Sequence, residues 1–175
     1  MKSPQIPLAA PLAGVVGVAA VFFFFSPSAT SGPKTGALAP DFTLTDLGGR
    51  TTTLSQHKGR VVLLDFWATW CTSCEREVPE LKSLYEEFPR DRFELLAVAC
   101  DEGGPELVAN FAAKYQLPYP VLFGDEAVQR GYRIFGLPTK YLIDAQGLVF
   151  RKYLANTTRE EIAADIRSLL ERSSS

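Results

Sequence analysis

From about residue 38 onward, apolar and polar positions fall into short periods that predict strands and helices in alternation. Phe42 and Leu44 alternate with polar neighbours before Gly48-Gly49, and 51–54 resumes an extended pattern. This predicts a hairpin that covers one end of the domain. After the Lys58-Gly59 turn, 61–67 is an almost unbroken apolar run, as expected of a strand buried on both faces in the middle of a parallel sheet. A helix over 72–88 puts Val78, Leu81, Leu84, Tyr85 and Phe88 on one stripe, with a kink expected at Pro79. Residues 93–99 repeat the buried-strand pattern, and 105–115 form a helix presenting Leu107, Val108, Phe111, Ala112 and Tyr115. A short strand at 121–123 and a short helix at 127–132 follow. Residues 141–143 and 148–153 then read as a closing antiparallel hairpin around a turn at 144–147. The last helix, 159–170, docks Ile162, Ala163, Ile166, Leu169 and Leu170. Thr158 is its cap, with Glu161 in capping-box spacing. Strand, helix and strand in alternation predict an α/β fold.

The N-terminus follows another pattern. Residues 6–25 carry no charge and end in four consecutive phenylalanines. As a helix rising about 1.5 Å per residue this stretch reaches roughly 30 Å, the thickness of a bilayer core. Lys2 precedes it and no base follows until Lys34, which favours an inside N-terminus and an outside remainder. Pro7 and Pro11 weaken its first part, so a cleaved signal peptide, with Ala29 and Ser31 near the cleavage point, stands beside a retained anchor. Both readings send the domain across a membrane, into a periplasm in a bacterium. Residues 26–37, rich in Ser, Pro, Gly and Thr, read as a flexible tether. The division is therefore an anchor or signal segment at 1–25, a tether at 26–37 and one domain at 38–175. A chain of 175 residues leaves little room for a second domain. A formal net charge of −2 offers no basic face for nucleic acid.

The candidate chemistry lies in the run Leu64-Asp65-Phe66-Trp67-Ala68-Thr69-Trp70-Cys71-Thr72-Ser73-Cys74. Two thiols, two residues apart, sit where a buried strand passes into a helix. Free backbone N–H groups and the helix dipole stabilise a thiolate at such a start, making Cys71 the nucleophile, while Cys74 lies one turn in and is better protected. Cys71 attacks a substrate disulfide, and Cys74 breaks the mixed disulfide. The oxidised pair can run the reverse reaction. The spacing also admits a structural disulfide. A zinc site would need two more ligands, with only Cys100 and His57 remaining among the usual donors, and His57 is expected at the surface. Asp65, a carboxyl within an apolar strand, is expected to have a raised pKa. Cys100, at the end of the second buried strand, reads either as a packed apolar thiol or as an auxiliary thiol near the redox pair.

With these residues in this order, the sequence resembles the thioredoxin superfamily over 39–170, and within it the exported or membrane-tethered TlpA-like and ResA-like branch that includes cytochrome c maturation reductases. The resemblance rests on the run from Asp65 to Cys74, on Glu77-Val78-Pro79, on Gly136-Leu137-Pro138-Thr139 and on Leu142-Ile143-Asp144-Ala145-Gln146-Gly147. It implies a central mixed sheet flanked by helices, with an N-terminal hairpin and a central strand-helix insertion. By position, Trp70 matches the aromatic before the nucleophile and Pro138 the proline held cis beside the cysteines. Leu137 offers its backbone to an extended substrate, with Thr139 completing that binding segment. Asp65 matches the buried acid proposed to take the proton of the resolving thiol. The implied partners are protein disulfides or dithiols and a membrane redox donor, with no cofactor. Thr72-Ser73 departs from the Gly-Pro of cytoplasmic thioredoxins, which leaves the redox poise open.

Two rivals remain. Peroxiredoxins share the broader fold but carry a proline seven residues before the attacking cysteine and a Thr or Ser three before it, where this chain has Leu64 and Ala68. A copper-delivery module would use Cys71 and Cys74 as soft ligands, but Met1 is the only methionine.

Overall fold

Among the described residues, seven strands and four helices are organised around a five-stranded sheet of order β5-β4-β3-β6-β7. The computed structural model describes residues 32–173. The apolar stretch 6–25 lies outside them, and among the described residues no helix is long and apolar enough to cross a membrane.

Strands β1 (Thr43–Thr45) and β2 (Thr51–Thr53) form the expected hairpin, followed by a 3-10 turn at Leu54–His57. The hairpin covers an edge of the main sheet: Leu47 N donates to Val121 O at 3.2 Å, and Asp46 bridges to Leu122. This caps β5 (Val121–Phe123), whose free edge would otherwise invite another strand. At the other edge the tether joins the fold. Gly36 N donates to Val149 O, and Val149 N donates to Ala37 O.

Strands β3 (Val61–Trp67) and β4 (Phe93–Ala99) are buried at every position and run parallel. Strand β6 (Thr139–Ile143) lies antiparallel to β3 and pairs with β7 (Val149–Leu154). Strand β6 begins at Thr139, two residues before the apolar run that marks it in the sequence, so Thr139 and Lys140 belong to the sheet.

The period of two separates the strand side chains into two cores. On one face Leu63, Trp67, Leu95, Ala97 and Leu142 pack against α1 (Thr72–Glu87), α2 (Pro105–Tyr115) and α4 (Arg159–Arg172). On the other Leu64, Phe66, Leu96, Val98, Tyr141 and Ile143 pack against the hairpin and α3 (Glu126–Gly131). The capping box of Thr158 and Glu161 closes the start of α4 as its spacing predicts. His57 is not at the surface: it is buried, its Nδ1 lies 2.8 Å from Arg60 Nη2, and burial lowers its pKa. Arg60 in turn meets Glu94 of β4 at 3.2 Å, an ion pair that local sequence does not reveal.

Candidate active site

The redox pair sits where β3 hands the chain to α1. Cys71 and Cys74 are joined in a disulfide with Cα atoms 5.3 Å apart, and both are buried in the helical-face core. Cys71 is the N-cap of α1, and its sulfur accepts the N–H of Cys74 at 3.2 Å. Ser73 Oγ lies 3.4 Å from the same sulfur. The disulfide sulfur occupies the place of the reduced thiolate, so backbone and hydroxyl donors are already aimed at that charge. Trp70, immediately before it, is 70% exposed.

The loop that presents Cys71 is pinned from the end of β4. Thr69 N lies 3.1 Å from both carboxylate oxygens of Asp101, and the Thr69 hydroxyl also donates to Asp101. Asp101 is thus a site residue, although in the sequence it stands out only as a neighbour of Cys100. The acidic residues at the helix start have tertiary partners as well. Tyr115 donates its hydroxyl to Glu75, Lys114 lies 3.7 Å from that carboxylate, and Lys140 donates to Glu77.

Asp65 is 3% exposed in the central strand, which excludes an edge position with access to water. Two residues from both Leu63 and Trp67, it points to the same face as Cys74. Burial raises its pKa, and Lys140, its register partner on β6, opposes that rise. Nζ of Lys140 is 3.7 Å from Asp65 Oδ1, an ionic contact too long for a hydrogen bond, and Oδ1 has no hydrogen-bond partner among the described residues. Trp67 Nε1 is also unpartnered there. Lys140 escapes a reading of the apolar pattern because that pattern starts only at Tyr141. The signal that could reveal it is a lysine directly before a buried run, opposite an aspartate in an apolar strand.

Pro138 follows a cis peptide bond from Leu137. Because Thr139 pairs with Phe66, this turn lies at the sheet end where β3 leads to Cys71. Thr139 Oγ1 donates to Gly136 O at 2.8 Å and holds the turn closed. Phe135, which no sequence motif singles out, is 81% exposed on the same segment.

Cys100 is not gathered with the pair. Its backbone N–H reaches Trp67 O at 2.7 Å, but its side chain enters the opposite core. Burial, with Asp65 and Asp101 adding to it, pushes the thiol up to about 12. No group of three or more His, Cys, Asp or Glu side chains suited to a metal occurs among the described residues.

Comparison with known proteins finds relatives that match most of the chain. A family model described as the AhpC/TSA family matches residues 35–152. The thiol-disulfide oxidoreductase ResA of Geobacillus kaustophilus is 39% identical over 136 residues, 77% of each chain. ResA of Bacillus cereus is 34% identical over 165 residues, 90% of each chain. A solved structure from Chlorobium tepidum, assigned as the thiol:disulfide interchange protein DsbE, superposes with a TM-score of 0.74 at 30% identity, covering 79% of this chain and 99% of that one.

Proposed function

The chain belongs to the AhpC/TSA family and is a thioredoxin-superfamily thiol-disulfide oxidoreductase related to ResA; from that premise we propose that it reduces protein disulfides outside the cytoplasm, with Cys71 attacking and Cys74 resolving. The observation that carries this reading is the sulfur of Cys71 at the N-cap of α1, facing the Cys74 N–H and the Ser73 hydroxyl. A thiolate there attacks one sulfur of the substrate and expels the other. Cys74 then gives its proton to Asp65 and attacks Cys71, releasing the second substrate thiol and closing the Cys71–Cys74 disulfide. Trp70 and Phe135 offer exposed aromatic surface to the substrate, and the Leu137 backbone with Thr139 offers it an extended docking edge.

Residues 6–25 anchor this domain to a membrane in the same reading. The Bacillus cereus match over 90% of the chain is in keeping with a shared N-terminal region. Each turnover leaves the enzyme oxidised, so it needs a dithiol donor, and an anchored domain draws on one in the membrane. Apocytochrome c disulfides are a substrate class in keeping with the branch the sequence resembles. Peroxide reduction has less support, given Leu64 and Ala68.

Insulin reduction by the full chain tests the assignment. The parent is expected to turn over, Cys71→Ser to be inactive, and Cys74→Ser to accumulate a one-to-one mixed disulfide. First alkylation at Cys74 of the reduced protein at neutral pH would reverse the two roles.

A further inference from the structure

Three charged side chains from three elements meet on the face of the sheet that carries the redox pair: Asp65 on β3, Lys140 on β6 and Glu77 on α1, their side chains 4%, 4% and 15% exposed. Lys140 donates a hydrogen bond to Glu77 and stands 3.7 Å from Asp65. One ammonium balances one carboxylate, so with both acids ionised the buried cluster keeps an uncompensated negative charge, which is costly. Both carboxyl pKa values are raised, by burial first. The other groups acting on this cluster do not relieve it: Glu80 on α1 adds negative charge at Glu77, while Cys100 after β4 and Tyr119 before β5 are buried neutral acids. The cluster is therefore suited to hold one mobile proton. It also has an outlet. Glu77 lines a polar cleft with Ser73, Arg76, Glu80 and the turn between β7 and α4, whereas Asp65 is sealed in the sheet.

We propose that Lys140 is a positioning residue that joins Asp65 to Glu77 as one proton-exchange chain, so that the proton taken from Cys74 leaves through Glu77 into this cleft and not past the docked substrate. This rests on the assignment of Asp65 as the acceptor. Cys74 gives its proton to the Asp65 carboxylate, and the thiolate attacks Cys71. The bond from Cys71 to the substrate sulfur breaks, and that sulfur leaves as a thiolate that solvent protonates. Asp65 then returns its proton to Lys140 as Lys140 passes one to Glu77. The ammonium is restored, Glu77 releases the proton to the cleft, and no electrons move in this exchange. Closing the gap between Lys140 and Asp65 to hydrogen-bond range needs a shift of about 1 Å at the end of a flexible side chain.

Stopped-flow mixing of the full-length reduced protein with excess dithiobis(nitrobenzoate) separates the steps: one chromophore leaves when Cys71 attacks, a second when Cys74 resolves. Lys140→Met and Glu77→Gln are each expected to lower the ratio of second-phase to first-phase rate about tenfold, modest for a lost proton path. Their combination is expected to go no further than either alone, as members of one chain do not add. Lys140→Arg keeps the charge but does not release a proton, so it is expected to leave the ratio as low as Lys140→Met does, which separates proton exchange from charge alone. In Glu77→Gln the second phase also loses the pH step contributed by that carboxyl, a change that loosened packing would not produce. Because Glu77 borders the cleft, this variant keeps the test open if Lys140→Met does not fold. A ratio unchanged in Glu77→Gln and Lys140→Met at every pH, beside a slowed Asp65→Asn, would overturn the relay and leave Asp65 as acceptor. An unchanged ratio in Asp65→Asn would overturn the acceptor assignment, and the relay with it.

Discussion

The two faces of the central sheet are both closely packed, yet they treat polar groups in opposite ways. On the face of α3 and the hairpin, Tyr132 donates to Pro40 O at 2.8 Å and Tyr141 donates to Tyr132 O at 2.6 Å, their rings stacked edge to face. Each of these buried hydroxyls has its acceptor, and Cys100 lies among them as an apolar group. On the face of α1, α2 and α4, Asp65 Oδ1 and Trp67 Nε1 have no hydrogen-bond partner among the described residues, and three charges share one buried contact. One face satisfies its polar groups and holds the fold. The other leaves two of them, Asp65 Oδ1 and Trp67 Nε1, without a partner among the described residues on the side of the sheet that carries the thiols, where an acid of raised pKa is useful.

The largest expected effect breaks the comparison at the thiols. Cys71→Ser on the charged face is expected to lower insulin-reduction turnover by at least ~10³-fold, as loss of a covalent nucleophile does, with little change in melting temperature relative to the reduced parent, which likewise lacks the disulfide. On the opposite face Phe66→Ala is expected to cost about 3–5 kcal/mol of stability, as truncation of a buried aromatic does. Denaturant unfolding would measure this, and alkylation of Cys71 in the folded fraction should keep its parental rate. A large loss of Cys71 reactivity would show that the two faces are not separable.

Asp65→Asn sharpens the contrast through pH. Because burial raises the folded-state pKa of Asp65 above the ordinary value of 3.8, the folded protein binds this proton more tightly than the unfolded chain does. The resulting stability is fully present below about pH 3.8 and is lost as pH rises through the folded pKa. The melting temperature of Asp65→Asn should therefore gain on the parent as pH rises toward neutrality, with little dependence of the difference on pH below the ordinary value. A gap that narrows on going to neutral pH would mean that Lys140 outweighs burial.

The smallest effect is expected at Cys100. Its thiol, pushed up to about 12 by burial, should resist alkylation in the folded protein at neutral pH. Cys100→Ala should leave the insulin-reduction rate unchanged and cost about 1 kcal/mol, the scale of one small apolar group. Peptide mapping across redox buffers should find only the Cys71–Cys74 linkage. A disulfide at Cys100 would bring the two faces into contact through chemistry.

Much of the reactive face is legible in the residues themselves. The apolar run bounds β3 at 61–67, the stripe from Val78 to Phe88 places α1, and the cysteine spacing puts the pair at their junction. These are local signals, set by backbone period and by the free N–H groups at a helix start. The start of β6 is not legible in the same way. Thr139 and Lys140 have polar side chains, and only pairing with Phe66 and Asp65 makes them strand.

Local chemistry in the sequence determined that this chain carries a pair of thiols at a helix start and an acid within an apolar strand, on an α/β scaffold. Only the tertiary structure decided which charge answers that acid, because Lys140 reaches Asp65 across neighbouring strands and Glu77 joins from a helix packed over them. It also decided that Cys100, one residue beyond β4, turns away from the pair. The alternation of side chains along a strand makes one residue of register the difference between the reactive face and the inert one.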